Sequence, residues 1–540
     1  MKAIPCKIRH FATALAAVAA MGMSAQSGKA AIYTWVGTGN NYRNASYFTP
    51  NGNFGAGDLV VFNESSYQWA GPGQSGAATH NVGAMISTGN TGATQTIQPL
   101  NTAGATVLVF AGYDYEINGE NVRLLVGTFG SDSFHFTKRS DSLDFKLALG
   151  SNGVVYANAG TTLRLGNMIT EQGGSYSITK RGEGVLWIGD SYAGANNTFS
   201  GGLILEEGIL KTQYSSSAVD GVMTQSPFGA GILTLRGGAI ETTGTNPRTY
   251  HNAVDLDGSV RFGTDRATSS AGWGNMTISG AAGGETRLLS NSTLEVYNHL
   301  SWGQNIKGDY SLTKEGTGYL VFSANGTNYE YTGNTYVNKG GLVVNGNLVN
   351  SQVVVNNGGT LSGLGSIYQN VTVNAGGVLS PGFYSVHATG ENKTAGTLTL
   401  YGNLTMEAGS TLRFHIGSTA AASDSIYTQG SVVFDNVTLD IRLTGVIAEG
   451  AKYVLIQNDG FDPITGSLLY NGNPLADGSI FHVVTDAYSQ TFQLFYNYTD
   501  VDIINSLVVV AVPEVSSATM IGGGFLALLG YLGVRRRKHL

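Results

Sequence analysis

Ser177-Ile178-Thr179-Lys180-Arg181-Gly182-Glu183-Gly184-Val185-Leu186-Trp187-Ile188 and Ser311-Leu312-Thr313-Lys314-Glu315-Gly316-Thr317-Gly318-Tyr319-Leu320-Val321-Phe322 are two copies of one pattern, 134 residues apart. The pattern is Ser-φ-Thr-Lys-x-Gly-x-Gly-x-Leu-x-φ, with φ apolar. Further on, Gly201 to Leu210 aligns with Gly333 to Leu342 at an offset of 132. Only two residues of loop separate the two offsets. Looser copies of Gly-x-Leu-x-φ or Gly-x-x-Leu-x-φ start at Gly160, Gly231, Gly359, Gly377, Gly396 and Gly409. Glycine turns the corner, and alternate apolar residues after it point to one face. One such unit cannot bury its own apolar face, whereas stacked units can. The expected fold is all-β: a parallel β-helix whose rungs stack ~4.8 Å apart, with Leu above Leu in a dry core. At ~20–25 residues per rung, the body would make roughly twenty rungs. Two or more antiparallel β-sandwiches are the alternative, because period-2 strands with glycine turns fit them too.

Composition points the same way. Charged residues are 12% of the 540-residue chain, half the usual ~25%. Glycine occurs 77 times and proline only 10 times. Asn, Ser and Thr fill polar positions that helices would give to Lys and Glu. The net charge of −7 offers no basic footprint for nucleic acid. The single cysteine, Cys6, precedes an apolar run near the N-terminus. Lys2, Lys7 and Arg9, then Phe11 to Met23, then small residues up to Ser27 or Ala30, have the layout of a secretory signal peptide over 1–30. Sec machinery and signal peptidase are the partners this implies. The mature chain would carry no disulfide and no thiol nucleophile.

The C-terminal tail has three parts. Val512-Pro513-Glu514 comes first, then an apolar run from Ala518 to Val534, then Arg535, Arg536, Arg537 and Lys538. The run is long enough for a single transmembrane helix over 518–534, which needs ~17–25 residues, and the basic cluster serves as a cytoplasmic stop. A plain membrane anchor fits these parts. The tail over 511–540 also resembles the PEP-CTERM sorting signal, with Val515 where the usual motif has a second proline. The resemblance implies that an exosortase-type membrane enzyme processes the chain near Pro513 and Glu514. The two internal units resemble the autotransporter-associated β-strand repeat. The second unit matches it best, at Lys314, Gly316, Gly318, Leu320, Tyr331-Thr332-Gly333 and Gly341-Leu342. That resemblance implies a passenger-like β-helix displayed outside the cell. After Tyr453 too few residues remain for an outer-membrane barrel, so a dedicated sorting route replaces self-translocation. The expected layout is an N-terminal cap over 31–65, β-helix repeats over 66–423 (best units 175–212 and 309–345), and a C-terminal β cap over 424–508.

The chemistry-bearing residues are sparse. Asp255 and Asp257 share one strand face, with His251 upstream; they form either a carboxylate pair or the start of a calcium site, or simply a solvated turn at Asp257-Gly258. Asp132, His135, Asp141 and Asp144 surround Lys138 and Arg139 in a looser group, read as a polar loop. Glu206-Glu207 is matched by Asn338-Lys339 in the second unit, so these are turn residues. Lys180 and Lys314 precede turns and are expected to cover strand ends with their stems. The nine histidines show no zinc spacing, and no nucleophile elbow appears. Neither a cofactor nor a metal is expected. Of the 27 tyrosines, Tyr329, Tyr331 and Tyr336 are read as packing residues, with sugar stacking as the alternative. The sequence therefore points to an exported, surface or matrix β-helix protein without enzymatic activity, whose role is structural and adhesive. The alternatives are a glycan-binding module and a polysaccharide-degrading β-helix enzyme, and an extracellular polysaccharide is the candidate ligand.

Overall fold

A computed structural model describes the backbone of strands between Ile32 and Val512, and side chains mainly between residues 149 and 513. Residues 1–31 and 514–540 lie outside the described residues, and with them the leader, Glu514, the span 518–534 and the Arg535–Lys538 cluster. The protein is all-β, with a short 3-10 turn at Ala420–Ala422. No helix of the described residues is long and apolar enough to cross a membrane.

The body is a parallel, β-helix-like solenoid with three faces. One rung consists of Ile306–Lys307, Leu312–Glu315 and Tyr319–Phe322. The next consists of Asn328–Tyr329, Thr335–Val337 and Gly340–Val344. Each strand pairs in parallel with its successor: Ile306 with Tyr329, Leu312 with Thr335, Leu320 with Leu342. Parallel pairing through the body excludes the antiparallel sandwich there. Rung length varies more than the sequence implies. Val353 pairs with Val371 and Val371 with Leu404, steps of 18 and 33 residues. The long step contains the hairpin Phe383–His387 with Gly390–Thr394. A second hairpin, Ser217–Val219 with Val222–Gln225, leaves the solenoid between two other rungs.

The core is a set of vertical columns. Leu300, Leu320, Leu342, Leu361, Leu379 and Leu412 stack in register on the third face, each fully buried. Each such leucine is worth about 1.5–3 kcal/mol relative to exposure. Phe322 and Tyr329 stack at 4.0 Å inside the same core. The two sequence-related units sit on different faces. Strand Ile178–Arg181 belongs to the first face, in a column leading through Leu203, Leu233 and Val254 to Thr286 and Ile306. Strand Leu312–Glu315 belongs to the second face, stacked on Ser292–Val296. The unit is thus a local corner module that works on either face.

The region 424–508 begins as solenoid. Val432 still pairs in parallel with Ile464. After Ile464–Tyr470 the strands turn antiparallel: Asn473–Leu475 folds back on Ile464–Tyr470, and Ser489–Tyr498 pairs with both Ile480–Val484 and Ile504–Val512. Strand Ile504–Val512 then closes antiparallel on Lys452–Asn458, covering the last edge of the first face. At the other end, Ile32–Trp35 pairs with Phe48–Thr49 and Leu59–Phe62 in a small sheet.

Candidate functional site

The repeated lysines are not strand-end covers. Strand alternation aims Lys180 and Lys314 inward, and both are fully buried. Lys314 sits in a column between Leu294 and Val337. Lys180 sits between Val155 and Leu205. The Nζ of Lys314 donates to the carbonyls of Glu315, Gly316 and Lys339 at 2.7, 2.8 and 2.9 Å. The Nζ of Lys180 donates to Arg181, Gly182 and Glu207 at 2.8, 2.6 and 3.0 Å. Three donors of one ammonium meet three carbonyls, two from its own turn and one from the turn above. The turn glycines make this possible. Gly316 and Gly340 have φ of +77° and +68°, and a Cβ at either would run into carbonyl oxygens of the adjacent rung. Burial pushes Lys314 down to about 7, against an opposing pull from Glu315 and Glu295. Burial likewise pushes Lys180 down to about 8, opposed by Glu207. Neither lysine reaches a surface, so they are structural clamps.

Asp255, Asp257 and Glu206 are each paired with arginine. Asp255 takes both arms of Arg287, at 2.7 Å to Nε and 2.6 Å to Nη2. Asp257 accepts from Arg236 Nε at 3.1 Å. No hydrogen bond joins His251 to either aspartate among the described residues, and burial lowers its pKa. The reading as a shared catalytic or calcium pair does not survive this geometry, because both oxygens of Asp255 are held by Arg287, and Asp257 is held by Arg236, which also pairs with Glu206. Among the described residues no group of three or more His, Cys, Asp or Glu is placed to hold a metal ion. Glu207 accepts from Gly182 N–H at 3.0 Å. Glu206 lies between Arg181 and Arg236 and pairs with both. Its pKa is held down chiefly by the hydrogen bond from Arg181. Arg181, Glu206, Arg236 and Asp257 therefore form a ladder of alternating sign up one edge of the rod. The Asp132, Asp141 and Asp144 group lies outside the described residues, apart from the backbone of His135 in Phe134–Phe136.

Neutral ladders continue the theme. Asn356 Nδ2 donates to Asn338 Oδ1, and Asn374 Nδ2 to Asn356 Oδ1, both at 2.7 Å. Tyr329 and Tyr331 are buried and bonded to Trp302 O and Thr335 Oγ1, so both serve packing. Tyr336 is half-buried and accepts from Asn334 Nδ2 at 3.1 Å.

What the sequence did not single out is an edge of exposed aromatics. The corner joining the first face to the second carries Tyr310, Tyr368, Tyr401 and Phe461. Tyr368 and Tyr401 follow Ser366–Ile367 and Thr397–Leu400, and their rings stack at 4.5 Å. The available signal was an aromatic residue directly after an apolar strand and just before Asn: Tyr368-Gln369-Asn370 and Tyr401-Gly402-Asn403.

In the tail motif, Val512 is the last residue of Ile504–Val512, pairs with Thr491, and accepts from Gln490 Nε2 at 2.9 Å. Pro513 is exposed. No protein-family model matches the chain, and no curated protein is found to be similar to it.

Proposed function

We propose that this chain is an exported β-helix protein of the cell surface or extracellular matrix, with a structural and adhesive role. Sec machinery and signal peptidase handle the segment 1–30. The C-terminal span 518–534 holds the chain in the inner membrane, and an exosortase-type enzyme processes it at Val512-Pro513-Glu514, as a PEP-CTERM protein. Its repeat units are of the autotransporter-associated type.

The observation that carries the non-catalytic part is the pairing of the carboxylates. Asp255, Asp257 and Glu206 each face arginine, and Glu207 faces a backbone N–H. A glycan hydrolase needs two carboxyl groups free to act on one bond. A long body with neutral Asn ladders beside its paired charges suits a spacer that displays uncharged polar faces.

The test is truncation after Pro513. Val512 belongs to the closing strand, so a cut before it would confuse misfolding with missorting. Cells producing the truncated chain should release it to the medium or periplasm, and lose adhesion. Unchanged envelope fractionation would reject the sorting reading.

A further inference from the structure

The corner between the first and second faces runs through residues 308–311, 330–334, 349–352, 368–370, 401–403, 429–431 and 459–463 in successive rungs. Tyr310, Tyr368, Tyr401 and Phe461 are 43, 40, 37 and 86% exposed, and they are the four exposed aromatic side chains among the described residues. All four lie on this one edge. Six rung steps separate the first from the last, about 29 Å at ~4.8 Å per rung. Across the four corners from 349 to 431 the edge holds no charged residue. Its exposed polar groups there include the amides Gln369, Asn370, Asn403 and Gln429.

The edge is rigid. Tyr368 and Tyr401 stack on each other, 22° from coplanar. Asn370 Oδ1 accepts from Asn403 N–H and Asn403 Oδ1 from Ser431 N–H, both at 3.0 Å. Those bonds fix both carboxamides while leaving their NH2 groups at the surface. Phe461 stands on a loop tied by its own N–H to Asp459 Oδ1 and by Asn505 Nδ2 to Gly460 O, at 3.0 and 3.1 Å. Fixed aromatics lose little entropy on binding.

The geometry points to a binding ridge for an uncharged polysaccharide, laid along the rod axis over Tyr310, Tyr368, Tyr401 and Phe461. Aromatic surface packs against sugar C–H groups, and amides exchange hydrogen bonds with hydroxyls. The spread of the aromatics over six rung steps suits an extended polymer better than a compact ligand. A peptide strand would need unpaired backbone donors, yet the N–H groups of Tyr368, Tyr401 and Gln429 are bonded to Leu348, Ile367 and Leu400. An anionic polymer would meet Asp309 and Glu330 near one end of the ridge and Asp459 and Asp462 at the other. This inference rests on the adhesive reading and names its ligand class.

The experiment is affinity electrophoresis of the full-length chain in detergent, through native gels containing hydroxyethylcellulose, dextran, xyloglucan or polygalacturonate. At least one neutral glycan should retard the protein, with little effect of salt. The double substitution Tyr368→Ala with Tyr401→Ala should weaken that retardation at least tenfold while the thermal melt stays in place, and Phe461→Ala should weaken it less. Unchanged retardation of the double variant, retardation by polygalacturonate alone, or none by any neutral glycan would overturn the ridge. So would a dimer, seen by sedimentation, that the double variant abolishes. Envelope fractionation and cell adhesion are scored separately. An envelope-bound, adhesive protein that binds no glycan sinks only the ridge, whereas glycan retardation of a protein that neither stays in the envelope nor adheres sinks only the adhesive role.

Discussion

A lysine placed in a column of aliphatic side chains has to satisfy its ammonium inside the core, and Lys314 does so by closing three carbonyls at a turn. Lys314→Met keeps the volume of the stem but leaves those carbonyls buried without a donor. At 1–3 kcal/mol for an unsatisfied group, with partial relaxation, the loss should be about 2–4 kcal/mol by urea denaturation. The same residue sets a pH dependence. Its folded pKa lies at about 7 against 10.5 for the free side chain. Between these values the unfolded chain holds a proton that the folded chain lacks, so stability rises with pH from 7 to 10.5. Lys180 adds the same sign from about 8 upward. The urea midpoint should climb between pH 7 and 10, and Lys314→Met should flatten the climb. Leu320 was legible beforehand, because the Gly-x-Leu alternation aims it inward, and it is fully buried. Leu320→Asp should cost at least ~4 kcal/mol, and an unshifted melt would contradict that placement. The inward lysines were not legible. A charged residue before a turn reads as surface, and only its recurrence in both units marked it.

At the scale of strands and corners, the charge ladder alternates sign along one edge of a body that is acidic as a whole, with 35 acidic and 21 basic residues over 32–513. Glu206 sits between Arg181 and Arg236, whose side chains are substantially exposed, so each pair is worth less than ~1 kcal/mol. Glu206→Gln should therefore lower the melting temperature only slightly. Glu206→Lys stacks three cations and should cost about 1 kcal/mol more, a penalty that 1 M salt removes. A comparison of melts at low and high salt checks both. The hairpin Ser217–Val219 with Val222–Gln225 has no fully buried side chain. Replacing it by a short Gly-Ser link should leave the melt within a few degrees. Such insertions are the reason the rungs could not be counted from the sequence. Once steps range from 16 to 34 residues, a fixed period slips, and the corners slip with it. The aromatic edge was hidden for that reason: among 27 tyrosines, those on a corner are distinguishable only after the register is known.

On the scale of the whole rod, a solenoid has an edge problem at its ends. A terminal rung leaves a row of N–H and C=O groups unpaired on its outer side, and those groups template further chains. Here the last strand of the first face, Lys452–Asn458, is paired on one side with Ser425–Thr428 and on the other with Ile504–Val512 running antiparallel. The reversal of direction ends the coil: an antiparallel strand cannot serve as the next parallel rung. Packing locks it in place, since Tyr453, Phe492, Leu494 and Val509 are buried within the same core. Longer apolar runs in the sequence marked this region as different, but not the switch in direction. That switch depends on which edge a strand pairs with, and pairing partners are absent from local pattern. Removing 480–513 should expose the edge of Lys452–Asn458 together with the apolar end of the core. The shortened protein should then associate end to end, giving a concentration-dependent series of oligomers by light scattering, whereas the protein with its closing strand does not extend. Substituting Val509 and Ala511 with proline tests the same point without a deletion: Ala511 donates its N–H to Ala451 O at 2.9 Å and Val509 lies opposite Tyr453 two residues along the same closing pair, and proline removes ladder donors there. If either change left the particle size unchanged at high concentration, the antiparallel strand would not be the element that stops the stack.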